Sequence, residues 1–348
     1  MSTHPFYNMQ TQGPYETFNI GSLQLACGKT LENCKLAVAT YGRLNEKKDN
    51  AILIPTWYSG THKNVQDVLV GSGRAIDSDK YFVIVVNQIG NGLSSSPHNT
   101  HGEHCKGSFP DIAIADDVSA QHRLVTTNFG LTKLALVMGG SMGAQQAFEW
   151  AVRFPNMVER LATIAGTART SDINKQFADA NIVGLRTDPA FDDGNYTDAS
   201  LVQAGLDQHA RLMTLYGLSA KFFEQQHYRV LGFDSVQSFY SDFMSPYFAP
   251  MDPNNLISML VKWRSADVSH VTGGDLAAAL ARITAKTLIM PINEDMVFPP
   301  SVCRAEADLI RNANFQATSS PCGHLGLFGI DSVWIQKIDE HLTELLRP

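Results

Sequence analysis

The chain has 348 residues, 44% of them hydrophobic, and a formal net charge of -7. A chain of this length buries roughly 75% of its unfolded surface, which suits one large α/β domain with an insertion, or two small domains. The negative balance and the lack of any basic block argue against nucleic acid and against an anionic membrane surface as partners.

Met1 to Pro14 is polar and lacks a basic-then-apolar leader pattern, and the longest apolar strings, such as Tyr81–Val86, are far too short to span a bilayer. The expectation is a soluble, cytoplasmic protein. The five cysteines (Cys27, Cys34, Cys105, Cys303 and Cys322) are odd in number and lack CxxC spacing, so no disulfide framework is expected.

Short apolar, β-branched runs recur along the chain: Ala51–Pro55, Tyr81–Asn87, Lys133–Met138, Leu161–Ala165 and Thr287–Pro291. Continuous apolar runs without alternation suit strands buried on both faces. Strands alternating with helical patterns predict a mostly parallel sheet with right-handed crossovers. Between Ala165 and Thr287 no buried strand is legible. Helical patterns such as Leu201–Gln226 and Pro253–Arg264 fill that stretch, punctuated by predicted turns at Asp192-Asp193-Gly194-Asn195 and Ser245-Pro246. Sheet-like sequence returns afterwards. Residues 170–271 are therefore read as a helical cap inserted into a core domain of residues 1–169 and 272–348.

His98, His101 and His104, with Cys105 adjacent, have a spacing that suggests metal ligands. Pro97, Gly102 and Gly107 place them in an irregular loop, where that spacing has no helical meaning. The expectation is a solvent-exposed loop without a metal.

The predicted strand Lys133–Met138 runs into Gly139-Gly140-Ser141-Met142-Gly143 and then into a helix over Ala144–Ala151. This is G-x-S-x-G in its meaningful context of strand, sharp turn and helix. A nucleophile at a strained turn needs small neighbours. The following helix aims its N-terminal amides where negative charge develops, so the Met142 N–H is a candidate oxyanion donor.

A serine hydroxyl needs a base, which in turn needs an orienting carboxylate, and on such a sheet the partners follow in the order Ser, Asp, His. Thr287–Ile292 supplies a late strand. Glu294 and Asp295 follow it, and both are candidate acids. Of the histidines after that point, His324 lies in a turn behind Gly323, whereas His341 lies inside a predicted terminal helix, Ser332–Leu346. His324 is the better base.

These residues bring a family into view. The chain resembles the homoserine O-acetyltransferase-like branch of the α/β-hydrolases over nearly its whole length. The resemblance rests on Thr40–Asn45 with Asn50-Ala51, Tyr81–Asn87 with Gly90, and Phe109-Pro110 with Asp116 and Gln121. It continues through Gly139–Gly143 with Glu149–Ala151, Asp188-Pro189 with Gly194 and Tyr196, Phe298–Pro300, and Gly323-His324. It implies an α/β-hydrolase fold, the triad Ser141, Asp295 and His324, and no cofactor. It implies a second oxyanion N–H from Thr56-Trp57-Tyr58-Ser59-Gly60, at Tyr58 by position, with Trp57 as alternate. A homodimer through the cap helices is implied as well.

Two departures bear on function. The transferases follow the base histidine with an aspartate that helps hold the amino-acid acceptor, and here Leu325 stands there. The acceptor-binding arginine is matched by Arg211, but Leu218 occupies the place of the tyrosine expected seven residues later. Losing a buried charge partner typically costs about 2–5 kcal/mol. Leu325, Leu327 and the cap aromatics (Phe222, Phe223, Tyr228, Phe239 and Tyr240) suggest an apolar pocket lined also by Trp57. The resemblance thus favours the family's esterase offshoots, hydrolysing small acetate esters, over acyl-CoA-dependent O-acetyl transfer.

Overall fold

Each of the five apolar runs becomes a strand of one sheet, in a computed structural model that describes residues 4–347. In chain order the strands are β1 (Glu16–Gln24), β2 (Thr30–Tyr41), β3 (Ala51–Pro55), β4 (Phe82–Val86), β5 (Leu136–Gly140), β6 (Arg160–Ile164), β7 (Lys286–Met290) and β8 (Ala313–Phe315). Their spatial order is β1-β2-β4-β3-β5-β6-β7-β8. The pairs from β4 to β8 are parallel, and β1–β2 and β2–β4 are antiparallel. This is the α/β-hydrolase fold.

The continuous apolar runs follow from two-sided burial. In each parallel strand alternate residues face opposite layers: Ile52, Ile54, Val83, Val85, Leu136, Met138, Leu288 and Met290 on one side, Ala51, Leu53, Ile84, Val86, Val137 and Ile289 on the other. The principal helices are α1 (His62–Leu69), α2 (Ile114–Arg123), α3 (Met142–Arg153), α4 (Asp172–Arg186), α5 (Gln203–Gly217), α6 (Pro253–Ser265), α7 (Pro300–Ala307) and α8 (Ser332–Leu346). Val65 of α1 and Trp334, Ile338 and Leu342 of α8 cover the first layer. Val118 of α2 and Phe148 and Trp150 of α3 cover the second.

The hairpin β1–β2 and the short β8 are absent from the sequence reading. β1 and β2 form one edge of the sheet, and their mixed residues interrupt both alternation and continuity. The β1–β2 register shifts at Asn19/Gly21 and Gly21/Leu23. β8 is three residues long, too short to leave a pattern. The third expected strand begins later and ends later than the run Lys133–Met138, because Gly139 and Gly140 pair with Thr163 and Ile164 of β6.

Everything regular between β6 and β7 is helical. The helical pattern Leu201–Gln226 is broken: α5 stops at Gly217, and Ser219 caps a new short helix, Ala220–Glu224, by accepting the Phe222 N–H at 3.2 Å. The Ser245-Pro246 turn is also corrected. Proline sits in the first turn of a short helix, Ser245–Phe248, where its missing N–H costs no helical bond.

The chain leaves and rejoins the core at adjacent points. Arg169 bridges Asp267, the Thr170 N–H donates to Ala266 O at 2.9 Å, and the Val268 N–H donates to Ala168 O at 3.2 Å. Glu306 of α7 clasps this junction from the core side, accepting the Ala168 and Arg169 N–H groups at 2.7 and 3.2 Å. Burial pushes the Glu306 carboxyl up to about 7 despite these two donors.

The pH consequence has a definite sign. The folded chain holds the Glu306 proton more tightly than the unfolded chain does. That stabilisation is therefore complete below the ordinary glutamate range and is lost as pH rises through about 7. Glu306→Gln keeps the group neutral. Between pH 5 and 8 the wild type should lose on the order of 3 kcal/mol relative to this variant. Parallel thermal melts of the two proteins across that range check it. Equal slopes would show that the carboxyl is not held protonated.

Candidate active site

Ser141 stands between β5 and α3 with φ 53° and ψ -124°, a positive-φ conformation uncommon for a residue with a Cβ. Its N–H extends the ladder to Ile164 O at 3.0 Å, and its carbonyl accepts the Ala144 N–H at 2.9 Å. The turn closes only on glycine. A Cβ on Gly139 would lie 2.1 Å from the Gly143 carbonyl carbon, and one on Gly143 would lie 2.6 Å from Pro55 O.

The three expected triad side chains converge. Ser141 Oγ lies 2.9 Å from His324 Nε2, and His324 Nδ1 lies 2.8 Å from Asp295 Oδ2. A carboxylate only accepts, so Nδ1 carries the proton and Nε2 is free to accept from the serine hydroxyl. The other Asp295 oxygen takes the Val297 and Phe298 N–H groups at 2.7 and 3.1 Å. All three residues are buried, so the pair bonds are screened little by water.

The rival acid Glu294 points away. It accepts the Ser320 N–H at 2.9 Å and pairs with Lys221 at 2.8 Å. Its side chain is only 9% exposed. It braces the loop that carries His324. That loop also leans on the helical segment: Ser219 Oγ donates to Pro321 O at 2.5 Å.

Met142 opens α3, and its N–H has no acceptor among the described residues. The Trp57 and Tyr58 N–H groups, past the end of β3, likewise have none. The Tyr58 hydroxyl reaches the helical segment, 3.4 Å from both His209 Nε2 and Leu256 O. Burial lowers His209 to about 3 and keeps it neutral. His209 Nδ1 is 2.7 Å from Asn181 Oδ1, so Nε2 is the bare acceptor for the tyrosine O–H.

A hollow of about 20 Å³ lies over Ser141, lined also by Trp57, Tyr58, Ser59, Met213, Trp263, His324, Leu325, Leu327 and Phe328. That is room for about one water molecule. Trp57 and Leu325 are where the sequence puts them. Arg211 is not: it is exposed on α5, pairs with Asp207 one turn earlier at 3.0 Å and stacks over Tyr240 at 4.3 Å. The helix turns it outward and presents Met213 to the hollow instead. The five aromatics expected to line the pocket (Phe222, Phe223, Tyr228, Phe239 and Tyr240) are also displaced. Phe222, Tyr228 and Phe239 pack on one another, and the Tyr240 hydroxyl donates to Asp207 O at 3.0 Å. None of the five lines the hollow. Met213 and Trp263 escaped the sequence reading, since a methionine and a tryptophan on a buried helix face read as ordinary core.

A larger cavity, of about 610 Å³, lies elsewhere, against Tyr7, Leu31, Lys35, Leu93 and His98, and contains neither Ser141 nor His324. The His98 region departs from the expected solvent-exposed loop. His98 stacks on Tyr7, and its Nδ1 lies 2.8 Å from Asn255 Nδ2. Burial lowers its pKa to about 4. His101 remains exposed. Among the described residues no group of three or more His, Cys, Asp or Glu side chains is placed to hold a metal ion, and no helix is long and apolar enough to cross a membrane.

This sheet, with a serine on a strained strand-to-helix turn, defines a class, and the chain belongs to it: residues 52–329 match the sequence profile of the alpha/beta hydrolase fold family. Within that family it is 53% identical to the ethyl acetate hydrolase of Pseudomonas veronii, over 98% of both chains. The solved acetylester hydrolase from Corynebacterium glutamicum superposes with a TM-score of 0.98 at 48% identity, covering 99% of each chain. A homoserine O-acetyltransferase from Methanobrevibacter ruminantium is more distant, at 32% identity over 86% of this chain and 65% of its own.

Arg211→Ala tests the corrected placement. An exposed ion pair contributes about 0–1 kcal/mol, so stability should change little and ester turnover should stay within about twofold. A loss of an order of magnitude in turnover, measured with a chromogenic acetate ester, would put Arg211 back in the site.

Proposed function

We propose that this protein is a serine carboxylic-ester hydrolase that cleaves short-chain acetate esters through Ser141, His324 and Asp295. The single observation that carries the reading is the hydrogen-bonded line Ser141–His324–Asp295 opening into a hollow whose lining has no Asp, Glu, Lys or Arg side chain. The names of the two close relatives point to the same substrate class.

In the proposed reaction His324 Nε2 takes the Ser141 hydroxyl proton as Oγ attacks the ester carbonyl. The Met142 and Tyr58 N–H groups, with Trp57 beside them, stabilise the oxyanion. His324 then protonates the leaving alcohol. Water, deprotonated by the same nitrogen, attacks the acetyl-enzyme; the Oγ–acyl bond then breaks, Nε2 returns the proton to Ser141 Oγ, and acetate leaves. Asp295 holds Nδ1–H throughout and stabilises the imidazolium. The small apolar hollow favours an acetyl methyl over a longer chain, at about 25 cal/mol per Å² buried.

Residues 170–271 serve in this reading as a cap over the site, since Met213 and Trp263 come from it. Its outer surface exposes Ile173, Val183, Leu201, Leu215, Val230 and Val236, which supports a homodimer joined through the cap helices. All five cysteines are free, which suits the cytoplasm.

Acyl-CoA-dependent O-acetyl transfer is the second reading, favoured by the distant transferase relative. Leu325 and the outward Arg211 weigh against it. An amino-acid acceptor would set its ammonium against leucine, desolvated without compensation, and its carboxylate would find no cation.

Three outcomes are expected. Ser141→Ala should fold and lose about 10⁶-fold in kcat; an alanine variant with a tenth of wild-type activity removes Ser141 from the mechanism. Wild-type protein given acetyl-CoA and homoserine should transfer little, while it hydrolyses alkyl acetates. Transfer outpacing hydrolysis overturns the esterase reading. Light scattering at micromolar concentration should give twice the chain mass, and a monomer would rule out the cap-to-cap dimer.

A further inference from the structure

Lys262 of α6 and Asp117 of α2 form an ion pair with no exposure on either side chain. The lysine ammonium also donates to Ile89 O at 2.5 Å and reaches Gln88 Oε1 at 3.4 Å. Asp117 Oδ1 accepts the Ile89 N–H at 2.8 Å, and its Oδ2 accepts Gln146 Nε2 at 3.1 Å.

Two threads leave this pair. Gln88 Nε2 donates to the Thr56 carbonyl, and the Gln88 N–H donates to Thr56 Oγ1 at 3.3 Å. Thr56 is followed directly by Trp57 and Tyr58. The other thread enters the nucleophile helix: Gln146 lies in α3, where its Oε1 accepts from Gln121 at 2.5 Å and Trp150 Nε1 donates to Gln121 at 2.8 Å. α3 begins at Met142. A Cβ on Gly143 would lie 3.1 Å from Thr56 O, so the two threads meet at the nucleophile turn.

Stability alone does not account for the pair. A buried ion pair is often replaced by apolar residues of similar volume at no loss, whereas removing one partner is costly. What apolar packing does not supply is a set of directional bonds that fixes two backbone segments relative to each other. We propose that Lys262 and Asp117 are positioning residues for the oxyanion hole: through Gln88–Thr56 and through Gln146 they set the gap between the Tyr58 and Met142 N–H groups. This rests on Ser141 being the nucleophile. Because α6 also brings Trp263 to the hollow and Leu256 O to the Tyr58 hydroxyl, the seating of α6 decides at once whether the hollow and the oxyanion hole are formed.

The test compares Lys262→Met, Asp117→Leu, the double variant and Gln88→Met with the wild type. It measures the melting temperature, kcat and KM for 4-nitrophenyl acetate, and the inhibition constant of methylboronic acid. That inhibitor adds to the serine and presents a tetrahedral oxygen to the oxyanion donors. The single charge variants should be the least stable, and the double variant should recover part of that loss, since it removes both charges but leaves the Ile89 N–H and the Gln146 amide without their acceptor. In the double variant and in Gln88→Met, kcat should fall about 10²-fold with KM nearly unchanged. Boronate affinity should fall by the same factor. If the double variant does not fold, Gln88→Met decides, since it removes the side-chain bond to the Thr56 carbonyl and only the long 3.4 Å contact to the ammonium, leaving Lys262 and Asp117 paired. Wild-type kcat and boronate affinity in a folded double variant, or in Gln88→Met, overturn the proposal. An inactive wild type, or an active Ser141→Ala, instead sinks the nucleophile reading on which it rests.

Discussion

The turn at Ser141 holds a non-glycine residue at φ 53°, a conformation costing of order 1–3 kcal/mol that persists only where the surroundings over-determine it. The surroundings here are specific. Parallel pairing of β5 with β6 carries the Ser141 N–H to Ile164 O. Gly139 and Gly143 let strand and helix approach closely, and Pro55 O at the end of β3 closes the other side. The strain turns the serine side chain away from both layers of the core, toward the ends of the strands. The loops after β3, β7 and β8 meet it there.

Those loops arrive already braced. Asp295 is held by two N–H groups of its own turn, so only one oxygen is left for His324. The loop carrying His324 is tied by Glu294 to Ser320, and by Ser320 to Asp331 at the start of α8 at 2.7 Å. A side chain whose supports are themselves hydrogen-bonded does not reorganise as charge develops, which is where an acyl-transfer site gains most of its rate. The helical segment adds the remaining wall, and its junction with the core carries the buried carboxyl of Glu306.

Similarity at two depths frames the chemistry. Esterase-named and transferase-named relatives share the fold, so the sheet and elbow do not decide which acceptor takes the acyl group. The hollow departs from a site for an amino-acid acceptor at a few wall positions. Leucine follows His324, and α5 offers Met213 where a cation was expected. Both make the hollow apolar.

Much was legible in the sequence because it depended on local rules. The five parallel strands are buried on both faces and so read as unbroken apolar runs. The elbow carries its glycines at fixed spacing, because backbone atoms of strand, turn and helix pack within van der Waals distance. The order Ser141, acid, His324 follows from the path of the chain through the sheet. The terminal helix Ser332–Leu346 shows its period plainly. Other features left no local trace. The edge hairpin β1–β2 mixes polar and apolar residues and is irregular in register. The choice of Asp295 over Glu294 turned on which carboxylate the loop after β7 aims inward, and the outward face of Arg211 on the rotation of α5. The Phe222–Phe239 cluster, the Met213 and Trp263 walls and the buried Lys262–Asp117 pair join residues far apart along the chain. A contact between distant residues is set by how helices pack on the sheet, and a single sequence does not encode that geometry at either position alone.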